Sequence, residues 1–336
     1  MGASNPSTHQ VGSVVVLRRV VVVRKTTVLE RAEDRPDRRL AEVMNHGGPL
    51  ADRILEAHRQ HISTVQAVIR TVHRKHMEVR VVAKLTRRDA RWADLVVTVG
   101  GDGTFLRASH CISADDVSDG TPMLGVNSAV GSSMGFFCAA DGDNFAIWID
   151  AMIQGQVNSR GLWRMAVLIN DEPVYDLALN DVLIAHKVPA ETTRYTLEVD
   201  GRKQVHTSSG IWVATSAGST GAIRSAGGDV LPLDDARLQY RIRELHSHGA
   251  EDAPMIGGMI QSRIEVVSHI PFGMLYVDGG HQKVQFGYGD RLLFQTARTA
   301  MPWIAGKEVD QRRQSVSLRS GRVLAAAGIH KPGLAN

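Results

Sequence analysis

Residues Val96–His110 read VVTVGGDGTFLRASH, the part of this sequence with the clearest structural signal. An apolar β-branched run, typical of a strand buried on both faces, ends at a pair of glycines. An acid, Asp102, stands between Gly101 and Gly103, and an amphipathic segment follows. The order strand, glycine turn, helix is typical of a parallel α/β sheet, in which ligands bind at the carboxyl ends of the strands.

The glycine turn has the chemistry of a phosphate site. Its backbone N–H groups and the N-terminus of the following helix attract phosphate oxygens. The turn matches neither the GxGxxG pattern nor the lysine-bearing P-loop. A carboxylate in its centre repels phosphate, so Asp102 needs a reason to be there. It receives a proton from a hydroxyl, helps to hold Mg²⁺ against phosphates, or simply caps the helix.

Strands and helices alternate around this turn, and the pattern changes after Gln156. Strand patterns cover Arg19–Lys25, Met77–Val82, Asp94–Val99 and Pro122–Val126; helical patterns cover residues 40–76, with a break at Gly47-Gly48-Pro49, and Asn144–Ile153. Beyond Gln156, short alternating runs are separated by turn signals such as Asp200-Gly201 and Asp278-Gly279. The predicted fold class is α/β plus all-β: a Rossmann-like parallel-sheet domain followed by a β-rich, β-sandwich-like domain.

We predict four segments. Residues 1–13 are a disordered tail, residues 14–142 an α/β nucleotide-binding domain, residues 143–300 the β-rich domain, and residues 301–336 a C-terminal segment that returns to the first domain. The basic Arg312-Arg313 region is predicted to be a peripheral helix that ends in a loose tail.

Composition limits the function classes. The 336 residues include 39 Lys and Arg against 35 Asp and Glu, and a net charge of +4 suits small anions without indicating nucleic acid. No apolar run reaches the ~20 residues of a membrane span. Two cysteines, Cys111 and Cys138, make no disulfide framework, which favours the cytoplasm or an organelle matrix. The histidines show no metal-ligand spacing, so no fixed metal site is expected.

Two further stretches have the chemistry of a nucleotide site. Ala178–Ala185, ALNDVLIA, interrupts an apolar strand with an amide and an acid. Asn180 can pair with an adenine edge and Asp181 can accept from a ribose hydroxyl, or the two form a strand end without a ligand. Thr215–Gly228, TSAGSTGAIRSAGG, is small enough to wrap a nucleotide, or is a loop with no ligand.

Together these motifs resemble the NAD kinase family. The resemblance rests on GGDGT at Gly100–Thr104, LND at Leu179–Asp181 and GST…SAGG at Gly218–Gly228, and it extends over roughly residues 20–298. GGDGT alone is shared with lipid kinases and, more loosely, phosphofructokinases, but FLRASH resembles the NAD kinase continuation. LGVNS at Leu124–Ser128 and SSG at Ser208–Gly210 resemble the branch of plant NADH kinase and mitochondrial NAD kinase.

The resemblance implies an activity and a set of roles. The γ-phosphoryl group of ATP, with Mg²⁺ or Mn²⁺, would pass to the adenosine-ribose 2′-hydroxyl of NAD⁺ or NADH, in a site between the two domains of a homodimer or larger homo-oligomer. Asp102 would be the general base, with Mg²⁺ near it. Phosphate contacts would come from Gly100, Gly101, Gly103, Thr104 and Arg107. Dinucleotide contacts would come from Asn127, Phe136, Phe137, Asn180, Asp181, Ser209, Ala217, Thr220, Gly221 and Ser225, although one phenylalanine could be core.

The chain departs from the commonest bacterial pattern on the nicotinamide side. That pattern has Thr-Ala-Tyr where this chain has Thr220, Gly221 and Ala222, and often an arginine and an aspartate at the positions of Thr207 and Ser209. These departures leave open the choice between NAD⁺ and NADH. The sequence also leaves open the choice between ATP and polyphosphate as the donor. The alternatives are a lipid or other hydroxyl kinase of the GGDGT superfamily, and a nucleotide-binding regulator without catalysis.

Overall fold

The computed structural model describes residues 16–113, 120–131, 133–246, 254–280 and 282–326. The predicted tail at residues 1–13 and the predicted loose end after residue 326 lie outside them. The chain forms two compact units, one up to Gly161 with Ala300–Val309, the other Leu162–Thr299 with the residues from Asp310 onward. Of the predicted C-terminal segment, residues 301–309 thus group with the first unit and the following residues with the second.

The first unit is built on a parallel sheet. Its strands are β1 (Arg19–Arg24), β2 (Glu78–Val82), β3 (Leu95–Gly100), β4 (Met123–Asn127), β5 (Cys138–Asp141), β6 (Ser159–Leu162) and β19 (Met301–Ile304). Their order is β2-β1-β3-β4-β19-β6, with β5 beside β4. The pairs of β1 with β2 and β3, and of β4 with β3, β5 and β19, are parallel. Every residue of β3 is buried, which confirms the strand predicted from its β-branched run.

Six helices accompany this sheet in the described residues. They are α1 (Val28–Asp34), α2 (Arg38–His46), α3 (Pro49–Arg74), α4 (Arg87–Trp92), α5 (Asp102–Ser109) and α6 (Phe145–Ile153). The predicted break between α2 and α3 is present, since Gly47 and Gly48 have φ of 70° and 95°, a region that favours glycine. One apolar stripe of α3, Val65, Val68 and Val72, packs into the core with the sheet.

The second unit contains two antiparallel sheets. Its strands are β7 (Met165–Ile169), β8 (Glu172–Ala178), β9 (Asp181–His186), β10 (Thr193–Val199), β11 (Arg202–Ser208), β12 (Gly210–Ala214), β13 (Leu238–Arg243), β14 (Gly257–Ile260), β15 (Ile264–Ser268), β16 (Gly273–Val277), β17 (Gln282–Phe286) and β18 (Arg291–Thr296). The orders are β11-β10-β15-β18-β7-β8 and β14-β13-β12-β9-β16-β17. One apolar cluster draws residues from both sheets, as a β-sandwich requires.

Period-two alternation gives each strand of the second unit a core face and an outer face. On β9, Val182 and Ile184 enter the core, so Asp181, Leu183 and Ala185 share the other face. A 3₁₀ turn (Ala217–Thr220) and the short helix α7 (Ala222–Ser225) follow β12, and α8 (Lys307–Ala326) ends the described chain.

Two findings concern the C-terminal helix and the helices as a set. The prediction of a peripheral basic helix is wrong for one residue, because Arg313 is only 4% exposed. Among the described residues, no helix combines the length and the apolar character needed to cross a membrane.

Candidate active site

The glycine turn of the first unit adopts the predicted strand–turn–helix geometry. Strand β3 ends at Gly100, and α5 begins at Asp102 with Gly101 as its N-cap residue. A Cβ on Gly100 would overlap Thr104 Oγ1 and would lie 3.3 Å from Lys25 Cβ, so only glycine fits there. At Gly103 a Cβ would meet nothing within 4 Å, so the backbone at this position is open to a ligand.

Asp102 is bound to the loop that follows β4. Its carboxylate oxygens accept hydrogen bonds from the backbone N–H groups of Phe136 at 3.0 Å and Phe137 at 2.8 Å. These bonds fix the orientation of the carboxyl group at the first turn of α5. Each carboxylate oxygen has two lone pairs, so a carboxylate held in this way still has the capacity to receive a proton.

The two phenylalanines of this loop have different environments. Phe137 is 4% exposed, and its ring stacks on Phe105 with the centroids 5.1 Å apart. Phe137 therefore belongs to the core, the role that the sequence left open for one of the two phenylalanines. Phe136 is half-buried. Arg107 is exposed and lies four residues after Gly103, on the same face of α5.

Asn127 lies at the end of β4, and its side chain shapes the next turn. The amide oxygen accepts from Ala129 N and the amide nitrogen donates to Ser133 O, both at 3.0 Å. These contacts assign Asn127 a structural role in this conformation of the chain. Its predicted contact with a dinucleotide stays a prediction.

A buried histidine supports the glycine turn from α3. His61 Nδ1 lies 2.9 Å from Ser128 Oγ, and Ser128 N donates to Gly100 O at 3.0 Å. Burial and the charge of Lys25 lower the pKa of His61 to about 4, so this imidazole is neutral near pH 7. Sequence reasoning missed His61, because its helical context predicts only a helix residue.

In the second unit, the LND motif is held by an acid that sequence reasoning treated as a turn residue. The Asp278 carboxylate accepts from the backbone N–H groups of Leu179 (2.9 Å), Asn180 (2.7 Å) and Asp181 (3.1 Å). Asp278 is 3% exposed and precedes Gly279 at the turn between β16 and β17. Its side chain, as well as its turn propensity, therefore matters at this position.

The LND motif packs against the third motif. Thr215 N donates to Asn180 O at 3.1 Å, and Thr215 Oγ1 donates to Leu179 O at 2.5 Å. A Cβ on Gly218 would overlap the Asn180 backbone, and one on Gly221 would lie 3.0 Å from Asn180 Nδ2. Gly218 is thus required by the close approach of the Asn180 backbone, whereas Gly221 lies close to the Asn180 side chain. Two motifs about 35 residues apart in sequence therefore form one surface.

Two carboxylates lie together beneath this surface. Asp181 is 4% exposed, and burial, with the negative charge of Asp278 as a second cause, raises the pKa of Asp181 to about 7. Asn180 Nδ2 donates to Asp181 Oδ2 at 3.1 Å, which orients both side chains of the motif. An aspartate that changes charge near neutral pH can accept or donate a hydrogen bond to a sugar hydroxyl.

Ser209 lines a cavity of about 400 Å³ on the outer face of the sheet that contains β9. Trp212, Leu183 and Tyr276 also line the cavity and are cross-strand neighbours on β12, β9 and β16. Glu191 and Arg243 bring one charge of each sign to its wall. The cavity is therefore aromatic and apolar at its base with a few polar groups, as small-molecule sites usually are.

The other predicted residues of the third motif differ in exposure. Ala217 is buried, Thr220 is half-buried and Ser225 is exposed.

No cluster of three or more His, Cys, Asp or Glu within the described chain could hold a metal ion.

A family model and several proteins of known sequence match this chain. A family model described as the ATP-NAD kinase N-terminal domain matches residues 23–157. A probable NADH kinase from Oryza sativa subsp. japonica is 37% identical over 226 residues, covering 59% of this chain and 67% of the relative. The NADH kinase of Arabidopsis thaliana is 34% identical over 225 residues, covering 60% of this chain and 69% of the relative.

Two solved structures share the fold. An NAD kinase from Archaeoglobus fulgidus in complex with ATP aligns with a TM-score of 0.62 at 19% identity, covering 89% of this chain and 98% of that one. Yeast NADH kinase complexed with NADH aligns with a TM-score of 0.66 at 16% identity, covering 95% and 89%. At these identities the similarity to the solved structures shows a shared fold. Membership of the family rests on the sequence relatives.

Proposed function

We propose, since the chain belongs to the NAD kinase family, that it transfers the γ-phosphoryl group of ATP to the adenosine-ribose 2′-hydroxyl of NAD⁺ or NADH, giving NADP(H). The observation that carries the proposal is the packing of Asn180 against Gly218 and Gly221. It joins the second and third motifs into one polar surface, backed by Asp278. The solved relatives that bind ATP and NADH support the same two substrates.

The donor side of the proposal uses the glycine turn. Phosphate oxygens would lie against the open backbone at Gly103, and Thr104, Gly100 and Gly101 would keep that turn in shape. Arg107 would add its guanidinium one helical turn later. MgATP is the substrate form, in which the cation neutralises phosphate charge. Asp102, fixed by two backbone N–H groups, would receive the proton of the attacking hydroxyl.

The acceptor side uses the surface formed by LND and GSTG. Asn180 would pair with the adenine edge, since its amide offers a donor and an acceptor together. Asp181 would bind a ribose hydroxyl, and Thr220, Gly221 and Ser225 would follow the dinucleotide. Positioning and charge stabilisation supply most of the rate in phosphoryl transfer, and this surface has the rigid backing that positioning needs.

One assay tests the proposal. Purified protein is incubated with MgATP and NAD⁺ or NADH, and NADP(H) is detected with a coupled dehydrogenase. Product formation supports the proposal. Dinucleotide binding without product would indicate a regulator, and labelled phosphate transferred to diacylglycerol or sphingosine in detergent micelles, with no NADP(H), would indicate a lipid kinase. Replacing ATP by polyphosphate in the same assay settles the donor.

Replacing Asn180 with Ala is expected to weaken acceptor binding by roughly 1–3 kcal/mol, because the partners of this half-buried amide, which the bound nucleotide would cover, lose their hydrogen bonds. The affinity for MgATP should change less. Isothermal titration with NADH and with MgATP measures both. Asn170→Ala is the matched control, since the amide of Asn170 also makes two hydrogen bonds in the same unit, to Asp290 Oδ1 and Arg291 N. A change confined to the ATP affinity would mean that the motif binds the other nucleotide.

The redox preference is expected to follow from Ser209. NAD⁺ carries a positive nicotinamide ring, and an aspartate close to it would favour the cation by roughly 1 kcal/mol in a partly dry site. Ser209 supplies no such charge, although Glu191 lines the same cavity. We therefore expect NADH to be phosphorylated at least as well as NAD⁺, and Ser209→Asp to shift the ratio of kcat/KM values towards NAD⁺.

The isosteric but neutral Ser209→Asn variant is the control for that shift. An enzyme that ignores NADH, or equal ratios in the aspartate and asparagine variants, would remove Ser209 from the nicotinamide side. Glu191→Gln tests the remaining carboxylate of the cavity, and it should move the ratio towards NADH.

Assembly and compartment remain part of the proposal. A homodimer or larger homo-oligomer is expected from the family, and sedimentation measures it. Cys111 and Cys138 form no disulfide with each other, which supports the cytoplasm or an organelle matrix as the place where the enzyme works.

A further inference from the structure

The C-terminal helix α8 contacts the third motif through one buried arginine. Nη2 of Arg313 lies 2.6 Å from Ser216 O, 3.0 Å from Leu231 O and 2.9 Å from Ser219 Oγ, and Nη1 lies 3.1 Å from Ala217 O. Three of the acceptors belong to the third motif, and Leu231 belongs to the irregular stretch that follows it. The guanidinium thus donates to both ends of the turn at residues 216–219.

This turn lies between Arg313 and the LND motif. On the side of the arginine, Ser219 Oγ also donates to Ser216 O at 2.7 Å and accepts from Leu231 N at 2.9 Å. On the other side, Gly218 N donates to Thr215 Oγ1, and Gly218 has room for no Cβ against the Asn180 backbone. A displacement of the turn would therefore reach Asn180 directly.

The chemistry of this contact requires arginine. A buried cation is costly unless its N–H groups are hydrogen-bonded, and the four acceptors provide that compensation. The planar fork of a guanidinium can reach several acceptors at fixed angles, whereas a lysine ammonium is one point of charge on a flexible stem. A second arginine strengthens the docking of the helix, since Arg224 Nη2 donates to Val316 O at 2.6 Å.

We propose that Arg313 is a positioning residue for the acceptor dinucleotide. Arg313 fixes the turn at residues 216–219, and the packing of this turn against the LND motif sets the position of Asn180 and Asp181. Helix α8 thereby becomes part of the acceptor site, although Arg313 itself acts only through the turn. This inference rests on the proposed function, because it concerns the same acceptor site.

The test compares Arg313→Met and Arg313→Lys with the wild type. We expect the methionine variant to raise the KM for NADH about tenfold or more, as the loss of charge-assisted hydrogen bonds would, and the KM for MgATP to change less than about threefold. The lysine variant keeps the charge and most of the stem, so its KM for NADH should lie between those of the wild type and the methionine variant. All assays are run well below the melting temperature of each variant. Should Arg313→Met not fold, Arg313→Lys carries the same comparison.

Thr296→Val is the control for ordinary destabilisation, because Thr296 Oγ1 donates to Ala236 O at 2.6 Å in the same unit. It should lower the melting temperature without changing either KM. The proposal is overturned if both KM values rise in parallel in the Arg313 variants, or if neither rises while the protein melts earlier. Wild-type turnover tests the proposed function separately, and direct titration of NADH into each variant tests Arg313 independently of turnover.

Discussion

The variant Asp102→Asn is expected to lose about 10²–10⁴-fold in kcat, the usual contribution of a general base. The substitution keeps the shape of the side chain and removes its capacity to take a proton at neutral pH. It also replaces one acceptor oxygen by a donor in front of the N–H groups of Phe136 and Phe137, so a moderate loss of stability is expected as well. Turnover, NADH affinity and melting temperature are measured together.

Asp94→Asn separates the two effects. Asp94 accepts from the backbone N–H groups of Arg18 and Arg19, both at 2.9 Å, so it matches Asp102 in its backbone bonds. It precedes β3, however, whereas Asp102 follows that strand. We expect Asp94→Asn to lower the melting temperature and leave kcat near the wild-type value. Near wild-type turnover in Asp102→Asn would remove Asp102 from the chemical step and leave it a loop-fixing acid.

Local patterns predicted the parallel sheet well, because its strands are continuous apolar runs. Val20–Val23 and the whole of β3 are buried on both faces, so the two-sided burial appears directly in the sequence. The same reasoning missed β19, whose sequence MPWI contains a proline, and β11, whose sequence RKQVHTS is mostly polar. β11 pairs with β10 along its full length across the predicted Asp200-Gly201 turn, so pairing rather than composition makes it a strand.

The candidate site could be predicted where function depends on short motifs, and not where it depends on distant partners. The glycines at 218 and 221 lie close to Asn180, about 35 residues away in sequence. The order of the motifs indicates that these segments belong to one site, although it does not show the contact itself. Arg313 lies 97 residues from Ser216, and a basic pair on a helix usually indicates a solvated face. Nothing in the local sequence distinguishes the buried Arg313 from the half-buried Arg312 beside it.

The role of Asp278 could not be predicted from the sequence, because its partners lie 97–99 residues away. Among the substitutions considered, its removal is expected to have the largest effect on stability. Asp278→Ala would leave the N–H groups of Leu179, Asn180 and Asp181 without their acceptor, and we expect a loss of about 3–5 kcal/mol in the free energy of unfolding. NADH affinity should fall with it, because the LND loop loses its support. Urea unfolding and titration with NADH measure the two losses.

Asp200→Ala is a close match for this substitution. Asp200 has φ of 48°, against 49° for Asp278, precedes a glycine, and accepts from Gln261 N, Ser262 N and Ser262 Oγ. Asp200 is exposed, so water can replace its carboxylate, and a loss of about 1 kcal/mol is expected. Equal losses in the two variants would mean that burial of the LND amides contributes nothing.

The pH dependence of stability provides an independent check on the same acid pair. Burial and the charge of Asp278 raise the pKa of Asp181 to about 7 in the folded protein, while an aspartate in the unfolded chain has its ordinary pKa of 3.8. The folded state therefore binds more protons between these values, and the contribution of Asp181 to the unfolding free energy falls as pH rises from about 4 to about 7. Asp181→Asn should remove that slope, and Asp278→Asn should make it shallower, because the repulsion disappears while the burial remains. Urea unfolding at pH 5 and at pH 8 measures the change in the free energy of unfolding between the two pH values. If this change is the same in Asp181→Asn as in the wild type, Asp181 is not the titrating group.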